Sequence, residues 1–131
     1  KGIDLRQIFI DDNELSVIDP GKISTGLAEA DIARFIVTCR ILYWGTPAIL
    51  RRICPSVSYE QAFLDGYYNA PDRPEKMINL LIIKEILKHW KMAHISLSKR
   101  NWNNLVKYAL KKIYVDFFYY KLVTDELSEL E

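Results

Sequence analysis

Asp19 is the first residue of this chain whose setting suggests chemistry. It closes the apolar run of Asn13-Glu-Leu-Ser-Val-Ile-Asp-Pro-Gly-Lys22, so that a carboxylate leads straight into the turn Pro20-Gly21. A plain turn tolerates Asp there. A carboxylate at a strand end also suits Mg²⁺ held against phosphates, because that ion takes few protein oxygens and fills its shell with waters and phosphate oxygens. A second acid, Asp31, follows within Ala28-Glu-Ala-Asp-Ile-Ala-Arg-Phe35. Taken singly, it fits the first turn of a helix, where negative charge complements the macrodipole.

Other reactive side chains carry less. His89 and His94 lie five apart and do not share a helix face at ligand spacing, so packing or surface roles are expected. Cys39 sits among Val37, Ile41 and Leu42 with no nearby base, and reads as a small buried apolar side chain. Cys39 and Cys54 are too few for a disulfide framework, and reduced thiols in a cytoplasmic protein are the expectation. No nucleophile elbow, P-loop or dinucleotide fingerprint occurs. Lys107-Tyr108, Lys111-Lys112 and Phe117-Phe-Tyr-Tyr120 interleave cations with aromatics, a composition that can serve nucleic acid. Their helical spacing favours a packed stripe beside a solvated lysine face, and nucleic acid is not the expected partner.

These groups need elements to position them. Ile8-Phe-Ile10, the turn residues Asp11-Asp-Asn13 and Leu15-Ser-Val-Ile18 predict a β-hairpin with Asp19 at its exit. Pro20 has no N–H for a ladder and Gly21 accepts positive φ, so the strand ends there. Helical periodicity follows from Ala28 to Trp44, with Ile32, Phe35, Ile36, Cys39 and Tyr43 inward. Thr46-Pro47 opens a short helix before Pro55, and Ser58-Tyr-Glu-Gln61 has capping-box spacing for another that runs to about Asn69. Two long helices are predicted beyond. Glu75 to about Ala93 is expected to bury Met77, Leu80, Leu81, Ile83, Leu87 and Trp90. Ser98 to about Tyr120 is expected to carry Trp102, Leu105, Val106, Ala109, Leu110, Ile113 and Phe117 on one stripe. The expected fold is one domain, mainly α, with an N-terminal β-hairpin followed by about five helices.

Composition agrees with a folded chain: 131 residues, 50% hydrophobic and 12% aromatic, exclude disorder. The net charge of +1 conceals a gradient. Residues 1–72 sum to −3, residues 73–121 to +8 and the last ten to −4. The basic middle can attract an anion. The apolar run near Met77–Ile83 is interrupted by Asn79 and followed by Lys84 and Glu85, so it is too short for a bilayer span.

Gln7-Ile-Phe-Ile-Asp-Asp-Asn-Glu-Leu-Ser-Val-Ile-Asp-Pro-Gly-Lys22, followed by Ala30-Asp-Ile-Ala-Arg-Phe35, resembles the second half of the kinase-like small-molecule phosphotransferases. These are the aminoglycoside and choline kinase relatives and the lipopolysaccharide core-sugar kinases. Their catalytic loop leads to an Asn, then a hairpin ending in Val-Ile-Asp, then a loop and an Asp-Leu-Ala helix. The resemblance covers about residues 4–45. It implies a protein-kinase-like C-lobe using Mg²⁺ and ATP. Asp19 would be the metal ligand, with Gln7 in place of the usual Asn as the second ligand. Asp31 would brace the catalytic loop. Lys22 matches a basic residue that follows the metal Asp in lipopolysaccharide kinases, on the cofactor side. Gly2 occupies the position of the catalytic base, so either Asp4 takes that role through a loop two residues shorter or the base lies upstream of Lys1.

The resemblance therefore implies phosphoryl transfer from Mg·ATP to a small molecule or a lipopolysaccharide sugar. No glycine-rich loop or strand lysine occurs ahead of the matching segment, and the nucleotide-covering N-terminal lobe is expected to be missing from this chain. Location is expected to be cytoplasmic, with the inner membrane surface as a candidate site of work. The competing expectation is a non-catalytic helical interaction module or degenerate kinase-like lobe.

Overall fold

The computed structural model describes residues 8–11, 14–17, 25–45, 56–68 and 73–130. The protein is mainly helical. Two short strands, β1 (Ile8–Asp11) and β2 (Glu14–Val17), pair antiparallel with Ile8 opposite Val17 and Asp11 opposite Glu14. Helices follow: α1 (Ala28–Gly45), α2 (Ser56–Tyr67), α3 (Glu75–Lys99), α4 (Asn104–Ala109) and α5 (Phe117–Ser128). Between α4 and α5 the chain winds as a π-helix over Leu110–Asp116. Contacts divide the chain into two compact units, Lys1–Ile78 and Asn79–Glu131.

In the first unit, α1 buries Ile32, Ala33, Ile36 and Val37. That spacing of one, three and four residues makes a single helical stripe, with Glu29 and Asp31 in the first turn at the positive end of the macrodipole. Phe35 stacks on Phe63 of α2 at a centroid distance of 4.3 Å. Beside it the Arg40 guanidinium grips the Glu60 carboxylate through Nε, 3.1 Å from each oxygen, and through Nη2 at 3.0 Å. Such a planar, multidentate pair fixes the rotation of one helix against the other. The helix predicted at Thr46-Pro47 lies outside the described residues. The one predicted to open at the Ser58 capping box begins two residues earlier, at Ser56, so Ser58 stands inside its first turn and is not its cap.

In the second unit, the break between long helices falls later than the sequence pattern suggested. The predicted gap near residues 94–97 is continuous helix, and α3 runs on to Lys99. Its stop is set by Asn101-Trp-Asn-Asn104, where the Asn103 side chain accepts a hydrogen bond from the Leu105 N–H at 2.8 Å and caps α4. Arg100 lies over the Trp102 ring, 5.1 Å from its centroid.

The buried faces also differ from expectation. In α3 the buried positions are Ile78, Ile82, Glu85 and Ile86, while Met77, Leu80 and Leu87 are exposed. Beyond α4 the buried residues are Val115, Tyr119, Leu122 and Glu126, and the expected stripe is open at Leu105, Val106, Ile113 and Phe117. Both segments are apolar around most of their circumference, so several helical stripes compete and periodicity alone does not choose between them. The π-helix accounts for the part of the second case at Ile113 and Phe117, though not for Leu105 and Val106, which precede it. It accommodates one residue more than α geometry would, so the inward stripe slips by one position across Leu110–Asp116. A straight α-helix in register with α4 would turn Lys121 inward where Leu122 now lies.

Candidate functional site

Asp4, Gln7, Asp19 and Lys22 lie outside the described residues. Asp31 is described. It stands in the first turn of α1, exposed, with its Oδ1 3.7 Å from Nη1 of Arg34 one turn on. Among the described residues no group of three or more His, Cys, Asp or Glu side chains could hold a metal ion. Cys39 is half-buried, and burial, with the charge of Glu60 next, pushes its thiol up to about 11. A thiol so far above neutrality supplies almost no thiolate, which fits the packing role expected for it.

Two sets of polar groups do converge. The first lies in the unit Lys1–Ile78, around an open cavity of about 790 Å³ whose lining includes Gln61, Leu64, Asp65, Tyr68, Arg73 and Glu75. Arg73 reaches Glu75 at 2.9 Å and Asp65 at 3.7 Å, while the Gln61 amide donates to Asp65 Oδ1 at 2.7 Å. The Tyr68 hydroxyl is buried with no hydrogen-bond partner among the described residues. Burial, with the charges of Glu29 and Tyr67 next, raises its pKa. An orphan hydroxyl of this kind costs stability.

The second set lies in the unit Asn79–Glu131 and centres on Asp116, the last residue of the π-helix. Trp90 Nε1 donates to Asp116 Oδ1 at 2.9 Å, and His94 Nε2 lies 2.6 Å from the same oxygen. Lys112 Nζ stands 3.4 Å from the other oxygen. The Trp90 bond foremost, and the His94 bond next, hold the Asp116 carboxyl below the ordinary carboxylate range, against a partial desolvation that pushes it up. The Trp90 ring also stacks on Tyr119 of α5, centroids 6.2 Å apart and planes within 11°. This clasp borders a shallow groove of about 440 Å³ lined by Leu87, Trp90, Lys91, His94, Ile95 and Asp116.

Sequence reasoning assigned His94 a packing or surface role and passed over Asp116. The available signal was composition: Asp116 is the sole acid between residues 86 and 121, set in an aromatic run. A lone carboxylate there needs cations or N–H donors around it. As chemistry, the clasp is a hydrogen-bonded strut, since Asp116 spends one oxygen on Trp90 and His94 and faces Lys112 with the other. Comparison with known proteins finds no match, whether among family models, curated proteins or solved structures.

Proposed function

We propose that this chain is the helical lobe of a kinase-like phosphotransferase that moves a phosphoryl group from Mg·ATP to a small molecule or a lipopolysaccharide sugar. The observation that supports the reading is an order of elements. An antiparallel pair of strands, Ile8–Asp11 with Glu14–Val17, precedes a helix that opens at Ala28 and carries Asp31 in its first turn. Asp19 falls in sequence between them, two residues after Val17. In this reading Asp19 and Gln7 hold Mg²⁺ through oxygen, Lys22 faces the nucleotide, Asp31 braces the catalytic loop, and Asp4 takes the acceptor hydroxyl proton. Catalysis would consist of positioning and charge neutralisation, so loss of the metal carboxylate should be severe. Asp19→Ala in the full-length protein is expected to lower Mg²⁺-dependent ATP turnover by about a hundredfold or more. Turnover equal to wild type would overturn the assignment.

A second reading, a non-catalytic helical interaction module, is favoured by the apolar side chains exposed along α3, α4, the π-helix and α5, Leu80, Leu105, Ile113 and Phe117 among them. Calorimetric titration with ATP separates the two. The enzyme requires nucleotide affinity that appears with Mg²⁺, and the module requires its absence.

A further inference from the structure

We infer that the outer face of the segment from α4 through the π-helix into α5 docks on an anionic lipid surface. The face combines three observations that are each unusual for a water-facing helix. Its side chains are apolar and open: Leu105 and Ile113 are each 75% exposed, Phe117 is 69% and Tyr120 is 62% exposed. Ile113, Phe117 and Tyr120 are spaced four and three residues apart, so across the π-to-α junction they form one stripe roughly opposite the buried Val115, Tyr119 and Leu122. Second, much of this exposed surface is aromatic with a polar tip, from Trp102, Tyr108, Tyr114 and Tyr120. Such side chains settle where one end is apolar and the other wet. Third, the segment is strongly basic: Lys112 and Lys121 are exposed, while Lys107 and Lys111 reach Ser98 of α3 and add their charge from the inner side. Residues 99–121 contain Lys99, Arg100, Lys107, Lys111, Lys112 and Lys121 against Asp116 alone. Asp116 is already occupied by Trp90, His94 and Lys112, so its charge is locally answered.

Charge complementarity selects the occupant. Long lysine stems can lie along acyl chains while their ammonium groups stay at headgroup level, and clustered cations draw in anionic lipid. The pattern of lysines beside Phe, Ile, Tyr and Trp is that of a helix lying in the interface plane. The stripe continues to Leu127, but beyond Lys121 the chain turns acidic, with Asp125, Glu126 and Glu129, so the docked part ends near Lys121. No helix among the described residues is long and apolar enough to cross a membrane. The inference stands on this face alone and does not require the phosphotransferase reading.

The test is co-sedimentation of the full chain, near physiological salt, with vesicles of phosphatidylcholine alone or with about 30 mol% phosphatidylglycerol added. Binding to the anionic vesicles should exceed binding to the neutral ones by about tenfold or more, and should weaken as salt is raised. Lys121→Gln should cost about fivefold. Phe117→Ser, at an exposed position that leaves helical circular dichroism unchanged, should reduce partitioning to a similar degree. Equal affinity for both vesicle types, or none for either, overturns the inference. So does a lipid-free dimer in sedimentation velocity that Phe117→Ser dissolves, because the face would then belong to a second copy.

Discussion

Asp116 is a single carboxylate that ties Trp90 and His94 of one helix to the end of another segment. Its pKa is lowered in the fold. Its contribution to stability is therefore present above the unfolded value, about 4, and disappears as pH falls through the lower folded value. Thermal melts followed by circular dichroism should show Asp116→Asn melting below wild type at neutral pH. Between about pH 4 and pH 2 the variant should lose less than wild type, because the group that titrates there is gone. Parallel pH profiles would refute the clasp. Tyr68 makes the opposite case. Its hydroxyl is buried without a partner among the described residues, so Tyr68→Phe should raise the melting temperature, by a stabilisation on the order of 1 kcal/mol.

At the scale of elements, the π-helix makes a demand that a point substitution cannot test. If Leu110–Asp116 contains one residue more than α geometry needs, then removing one should restore an ordinary helix without rotating α5. Deletion of Ile113 is expected to leave Tyr119 and Leu122 buried, with helical content and melting temperature close to wild type. Deletion of Lys84 inside α3 should unfold the unit, since each lost residue turns the remainder of the helix by about 100°. A deletion at 113 as damaging as the one at 84 would show that the extra residue is not surplus. The same contrast explains which features were readable beforehand. That these segments are helical was legible, because apolar residues recur at helical spacing and Gly45 and Pro74 punctuate them, whereas the cap at Asn103 falls in the interior of a predicted helix. Which face turns inward was not. Leu80, Leu87, Ile113 and Phe117 are as hydrophobic as the isoleucines that are buried, and a one-residue slip leaves no compositional mark. Asp116 was hidden for the same reason: the partners that give it meaning, Trp90 and His94, come from the helix before.

The whole molecule is a chain of local pairings. Arg40 meets Glu60 across twenty residues, and Trp90 meets Asp116 across twenty-six. All five prolines, at positions 20, 47, 55, 71 and 74, precede the unit Asn79–Glu131. The stack of Trp90 on Tyr119 thus sits in a stretch with short loops to close and no imide bond to isomerise. Its assembly speed is set accordingly. With Trp44→Phe and Trp102→Phe in place, stopped-flow recovery of the remaining indole fluorescence should finish within about milliseconds. Any refolding phase of about ten seconds or more should leave that signal unmoved and report on the proline-bearing residues instead.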